Sequence, residues 1–370
     1  MTTLSEDDLY RTSTQYRLWS FSPEGLAALR AKTHGIAVQR AQQYGESPDC
    51  LSEEEELRLV QKYTDTLRAT ADFLKVSPNA KATAAQYLKR FYLSNSCMTY
   101  PPKDVYKTVL YLATKSEGPG TTVSEYARKI SSDPEMVLAP EYKVMQALRF
   151  TLEVRHPFRG LKGVTAELLN GAEAMVGTTA DGKSGKETQR EMLELDMPGQ
   201  EDKTLFQAPK GGKMDVKRLR DRVNAAYSAS KDVLDAPASL TDVYFLYTPS
   251  QIVLAAMHLS DEPLTSYYIG TKFAFDSPIK AKILATVHSC AEMLASYDAK
   301  SVLTKDERAE LEKKLERCRD PSMKDMIKAL QLARQGGDDE DGEKAKRRKL
   351  EREKSMKEGE DLFGPNLGKG

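Results

Sequence analysis

The sequence predicts an all-α protein, on three observations. Apolar residues recur at helical rather than alternating spacing through nearly every patterned stretch. Helix-start chemistry, with Ser, Thr or Pro ahead of an amphipathic run, recurs along the chain. Strand-like alternation is brief and isolated, clearest in LRFTLEV at residues 148–154. At 370 residues the chain is long enough for about two cores of roughly 150 residues each.

After a polar start, Ser22 caps a helix with Pro23 at its first position, and Phe21 can pack on Leu26 as a hydrophobic staple. This helix runs to about Gln43, before Pro48. LSEEEELRLVQKYTDTLRATADFLK is then a long amphipathic helix with its acids in the first turns, where the macrodipole favours them. Pro78 opens a second, NAKATAAQYLKRFYLSN, with Ala85, Leu88, Phe91 and Tyr92 on one face and enough alanines to let a neighbour come close. Pro101 and Pro102 start a third, ending near Lys115; SEGPGTT breaks the chain, VSEYARKI makes a short fourth, and Pro140 opens a fifth. That fifth helix changes character. Val144, Met145, Leu148 and Leu152 keep helical spacing, whereas Leu148, Phe150, Leu152 and Val154 alternate until Pro157.

A second set of helices follows. LKGVTAELLNGAEAM begins it, residues 172–212 turn polar and Gly-rich and read as a flexible insertion, and VKRLRDRVNAAYSASKDVL resumes the pattern. Thr248 caps a helix with Pro249 first and Ile252, Val253, Ala256 and Leu259 on its buried face; PIKAKILATVHSCAEMLASYD is the last long helix of the set. Thr304 and Glu307 form a capping box for DERAELEKKLERCR, which stops at Pro321 before a short MKDMIKALQLAR. From Gly336 to Gly370 charge is dense and apolar residues are few, so a disordered tail is expected.

Composition narrows the function. Lys and Arg total 55 against 55 Asp plus Glu, so no global field draws in nucleic acid or an acidic membrane. The start is acidic and polar where a signal peptide would be basic and then apolar, and no run of about 18 apolar residues occurs. A soluble, non-secreted protein is expected. Cys50, Cys97, Cys290 and Cys318 are far apart, without C-x-x-C spacing, and read as reduced, small apolar residues.

GTTADGKS at residues 177–184 fits the G-x-x-x-x-G-K-[ST] phosphate loop letter for letter. That mechanism needs a buried strand feeding the loop, and only Met175 and Val176 precede it, so Lys183 and Ser184 read as solvated residues of the insertion. His34, His156, His258 and His288 have no partner at catalytic or ligand spacing; His258 and His288, among apolar neighbours, read as core residues. No metal or cofactor is expected. KAKRRK, with Lys344, Lys346, Arg347, Arg348 and Lys349, is equally a nuclear-import signal or a solvated charge cluster. Glu141 after Pro140 suits a helix N-terminus and Lys115 a helix C-terminus. Opposite charges beside a row of large apolar side chains are also what a partner surface looks like.

KRFYLSNS, LATK, QALRFTLEVRHPFRG, SLTDVYFLYTPSQIVLAA and LEKKLERC together resemble the cyclin H family, across roughly residues 15–335 apart from the insertion. LTDVYFLYTPSQ is the most specific of them. The resemblance implies two tandem five-helix cyclin boxes flanked by terminal helices. An N-terminal segment and helix would occupy 1–50, the first box 51–157, the second 158–300 with its insertion at about 172–212, C-terminal helices 301–335 and the tail 336–370. It implies a nuclear, non-catalytic subunit that activates the cyclin-dependent kinase of CDK-activating kinase. Its partners would be that kinase, a RING-finger assembly factor and the core of general transcription factor IIH, with no membrane and no direct nucleic acid. Lys115 and Glu141 would grip the kinase near its mobile regulatory helix, with Leu112, Met145, Phe150 and Leu152 as apolar contacts beside them. A tandem-box protein of the transcription factor IIB type, binding DNA or acting as a scaffold, is the other reading; of the helices, only VKRLRDRV comes near the basic face it needs.

Overall fold

The computed structural model describes residues 6–319 apart from 44–48, 119, 199–213 and 275–276, and every regular element among them is helical. Two short helices, α1 (Glu6–Thr12) and α2 (Thr14–Trp19), precede α3 (Pro23–Gln42), which Ser22 caps by accepting from the Gly25 amide at 3.1 Å. The first set follows: α4 (Glu53–Phe73), α5 (Pro78–Ser94), α6 (Pro102–Glu117), α7 (Val123–Lys129), α8 (Pro134–Leu138) and α9 (Glu141–Ala147). Ser52 and Glu55 close a reciprocal capping box on α4, and Ser77 and Thr122 cap α5 and α7.

The centre of this set is α5, on which α3, α4, α6 and α9 all pack. Every residue from Ala80 to Leu93 is buried. Small residues Ala80, Ala82, Ala84 and Ala85 let the neighbours approach, while Leu88 and Phe91 fill the space between them. A helix buried on all sides must also satisfy its polar side chains. Lys81 does so with Asp72 and Asp235, both at 2.7 Å, and Lys89 donates to the Thr241 carbonyl and lies 3.5 Å from Asp242.

The second set comprises α10 (Phe158–Ala172), α11 (Gly185–Glu194), α12 (Val216–Asp235), α13 (Pro237–Leu240), α14 (Val243–Leu246), α15 (Pro249–His258), α16 (Glu262–Gly270) and α17 (Pro278–Ala295). Here α15 takes the central place, packed by α10, α12, α16 and α17, with Ile252, Val253, Ala255, Ala256 and Met257 buried. A single-turn 3-10 helix and α18 (Lys305–Cys318) close the described chain, and α18 returns to lie on α4. One continuous apolar cluster runs through both sets, and a second, around Trp19, Leu26, Leu93 and Phe245, seals the seam where α2 and α3 meet them.

The helix starts expected at Ser22, Thr248 and Thr304 all carry their caps. Other expectations change. The polar start holds α1 and α2, and α16 is an additional helix. The fifth helix opens at Pro140 as expected, as α9, but α8, capped by Asp133, is an additional helix ahead of it. Part of the flexible insertion is regular: α11 packs on α10 and α12, buries Thr188 and Met192, and is capped by Ser184 with Glu187. His288, read as a core residue, is an exposed side chain 3.4 Å from Glu292. The helix expected at 323–334, the tail at 336–370 and its basic run Lys344, Lys346, Arg347, Arg348 and Lys349 lie outside the described residues.

Candidate functional site

The last turn of α6 meets the first turn of α9, and this brings Lys115 and Glu141 together. Their side chains form an ion pair at the surface, Lys115 39 % and Glu141 20 % exposed. The Lys115 ammonium also stands 5.0 Å from the ring centre of Tyr111, one turn back on α6, a cation–π contact that fixes its direction. Both charges suit their helix ends, the cation by the α6 carbonyls and the acid by the α9 amides.

Beside the pair lies an apolar platform. Tyr142 is 65 % exposed and Phe150 57 %, and their rings meet edge to face at 6.2 Å. Met145 and Leu152 are half-buried beneath it. Leu112, expected among the surface contacts, is instead 3 % exposed within the core, one turn before Lys115, which stands at the exposed C-terminal end of α6. It supports the site from below. Tyr142 carries no signal in the sequence beyond its place after Glu141.

The chain presents Phe150 by an unusual exit. Arg149 and Phe150 both have φ of 54°, a left-handed conformation costly for side chains of that size. The turn is held by hydrogen bonds from the Arg149 amide to the Gln146 carbonyl and from the Phe150 amide to the Met145 carbonyl, each 2.9 Å. Residues 151–156 then carry no regular structure, and side chains satisfy several of their polar groups. Gln15 accepts from the Arg155 amide at 2.7 Å, the Trp19 indole donates to the Thr151 hydroxyl at 3.0 Å, and Tyr87 donates to the Leu152 carbonyl. The guanidinium carbons of Arg90 and Arg149 lie 5.0 and 5.2 Å from the Trp19 ring centre. Thus α2, read from sequence as mere polar start, is the brace of the exit segment.

Beneath this segment His156 contacts the Thr83 hydroxyl at 2.7 Å and the Tyr244 hydroxyl at 3.1 Å, joining the two helical sets. Burial, helped by the nearby Arg90 charge, pushes its imidazole down to about 3, so the ring is neutral at physiological pH.

The phosphate-loop pattern has no phosphate-loop structure. Lys183 is held by Glu191 at 2.7 Å and Asp181 at 3.0 Å, which raise its affinity for a proton, and Ser184 caps α11. No strand among the described residues feeds the loop. The arginines of VKRLRDRV are likewise paired with acids: Arg218 lies 4.0 Å from Asp215, Arg220 3.1 Å from Glu173, and Arg222 is fully buried against Asp261 at 2.7 Å. No described helix is long and apolar enough to cross a membrane, and no described cluster of three or more His, Cys, Asp or Glu could hold a metal ion.

Comparison with known proteins follows the same lines. Residues 156–295 match the family profile described as the cyclin C-terminal domain. Cyclin CCL1 of Saccharomyces cerevisiae is 30% identical over 73% of this chain and 62% of its own length. Cyclin mcs2 of Schizosaccharomyces pombe is 36% identical over 42% of this chain and 53% of its own. The matches thus span between half and two thirds of these two relatives. Among solved structures, a chain of the CAK complex of Chaetomium thermophilum bound to ATP-gamma-S superposes with a TM-score of 0.72 at 33% identity, covering 90% of this chain and 96% of that one. A chain of the yeast TFIIK (Kin28/Ccl1/Tfb3) complex superposes at 0.57 with 29% identity, covering 77% and 100%.

Proposed function

Because the chain belongs to the cyclin family, we propose that it is the regulatory subunit of a CDK-activating kinase and works through the surface formed by α6, α9 and the exit segment. The observation that carries this reading is the Lys115–Glu141 pair set beside the exposed Tyr142–Phe150 platform. A charged pair flanking an aromatic anchor is suited to a kinase regulatory helix that carries both apolar and charged residues. The contact would hold that helix where its glutamate pairs with the lysine that orients ATP phosphates. Activation is then a population shift, since the cyclin supplies no reacting group.

The same reading extends to partners and place. The related yeast complex contains three differently named components, which supports a third chain beside kinase and cyclin; we assign it to a RING-finger assembly factor. Within general transcription factor IIH the complex would phosphorylate cell-cycle kinases and the C-terminal repeats of RNA polymerase II, in the nucleus. The basic run from Lys344 to Lys349 is the candidate import signal. The DNA-binding alternative loses its support where Arg218, Arg220 and Arg222 are each paired with an acid.

The test is a reconstituted assay with purified kinase subunit, alone and with this chain. The unmodified chain is expected to activate strongly. Exchanging the charges, Lys115→Glu with Glu141→Lys, keeps an internal pair and hence the fold, but presents each kinase group with the wrong sign and is expected to abolish activation. Lys115→Ala alone should weaken kinase binding by about 2 kcal/mol, near thirtyfold. Full activation by the folded double variant would move the working surface elsewhere.

A further inference from the structure

The end of α9 carries a backbone feature that no other described helix end shares. Lys75, Ser131 and Ala174 each stand alone in the left-handed region just past α4, α7 and α10, where glycine is usual. Past α9 two such residues follow one another, Arg149 and Phe150, both at φ 54°. A conformation so costly for large side chains persists only where the surroundings hold it. On the Arg149 side the holder is Trp19. Its ring receives two guanidinium groups, from Arg90 at 5.0 Å and from Arg149 at 5.2 Å.

The charges on this ring are not balanced. Trp19 and Arg90 are each 2 % exposed, whereas Arg149 is exposed. Neither arginine has a carboxylate partner among the described residues. The polar contact of Arg90 is the Gln15 side-chain oxygen at 3.5 Å, and Glu153, the acid nearest to Arg149 in sequence, is taken by Arg155 at 2.7 Å. Two cations thus share one aromatic ring without an anion, and the outer of them faces solvent beside Phe150.

We propose that Arg149 is a partner-recognition residue, presented by the left-handed exit and the Trp19 ring so that its guanidinium receives a carboxylate of the kinase subunit. This rests on the reading that α6, α9 and the exit segment hold the kinase. Contact with an aromatic face leaves the N–H donors of a guanidinium at its edge, in the fork that matches a carboxylate. A carboxylate seated there offsets the charge that Arg90 and Arg149 leave uncompensated in the free chain. A cationic group at the same place is repelled, so Arg149 selects between partners as well as strengthening the right one. Its place next to Phe150 sets a charged contact at the edge of the apolar anchor.

The experiment measures the affinity of the full chain for the purified kinase subunit at low and high salt, and the urea midpoint of each variant alone. Arg149→Gly removes the charge and suits the left-handed backbone. Its urea midpoint is expected to hold or rise while kinase binding weakens by about tenfold, a split that a merely structural residue would not give. Arg149→Gln should weaken binding to a similar degree and make it less sensitive to salt. Arg149→Lys keeps the charge without the fork and should recover part of the affinity. These differences should survive phosphatase treatment of the kinase; their disappearance would assign the contact to a phosphate and overturn the carboxylate. Lys115→Ala is measured beside them. Unaltered binding by all three Arg149 variants, with Lys115→Ala weakened, would overturn the role of Arg149 and leave the kinase surface where it is. Unaltered binding by Lys115→Ala as well would move that surface elsewhere and the role of Arg149 with it.

Discussion

His156 shows how one residue can make the junction of the two helical sets sensitive to acid. Its ring sits between Thr83 of the first set and Tyr244 of the second, with its proton affinity lowered to about 3 from an ordinary 6.5. Between those values the unfolded chain takes up a proton that the folded chain refuses, so folding stability must fall as pH drops through that window. The slope this residue can add is at most about 1.4 kcal/mol per pH unit. Urea unfolding followed from pH 7 to pH 4 is expected to show the decline, and His156→Gln should flatten it. An unchanged slope in that variant would place the acid sensitivity elsewhere. Asp242 acts lower on the scale: burial pushes its carboxyl up, but Lys89 and Arg30 hold it at about 2, so its contribution is complete above 3.8 and is lost only as pH approaches 2.

At the scale of elements, α11 turns on Arg222. This wholly buried side chain forks onto Asp261 at 2.7 and 2.8 Å and also donates to the Asp196 carbonyl at 2.7 Å, so it ties the end of α11 to the N-terminus of α16. Arg222→Met keeps the volume but leaves Asp261 buried and unpaired, and should destabilise the chain by about 3–5 kcal/mol. The checks are the urea midpoint and amide exchange in residues 185–196, which should quicken first. Helices with a Ser or Thr cap and a Pro or Glu behind it, such as α3, α4, α15 and α18, were legible in the sequence because one short-range contact decides each start. Their irregular neighbours were not. Gly177, Gly182 and Gly185 make the insertion look like loop, yet Gly185 begins α11 and is required there: a Cβ would stand 2.6 Å from the Ala174 carbonyl oxygen and 2.7 Å from that of Val176. The site was legible only by resemblance. Nothing local links Lys115 to Glu141, and only the packing of α6 on α9 reveals that Leu112 points inward while Tyr142 points out.

At the scale of the whole molecule, two acids of the second set add ion pairs to the apolar cluster that joins the two sets. Asp235 receives Arg68 and Lys81, both at 2.7 Å, and Asp242 receives Arg30 at 2.7 Å and Lys89 at 3.5 Å. Each acid thereby joins the second set to α5 and to one further helix, α4 or α3. Asp242→Ala should cost about 2–3 kcal/mol, less than a wholly buried pair because the carboxylate keeps some contact with water, and should leave Lys89 without a counter-charge. Calorimetry is the measure. A lower but still single transition is expected, since the continuous apolar cluster keeps the sets coupled; separate transitions would mean that the charges alone had joined them.

The helix at the centre of the first set carries a further consequence, which belongs to descent rather than to energy. A helix with a wet face lets neutral changes accumulate on that face, and lineages drift apart there first. Between Ala80 and Leu93, α5 offers no such face. Any replacement must be answered by another in α3, α4, α6, α9 or the second set, so this helix can diverge only as one voice among several changing together.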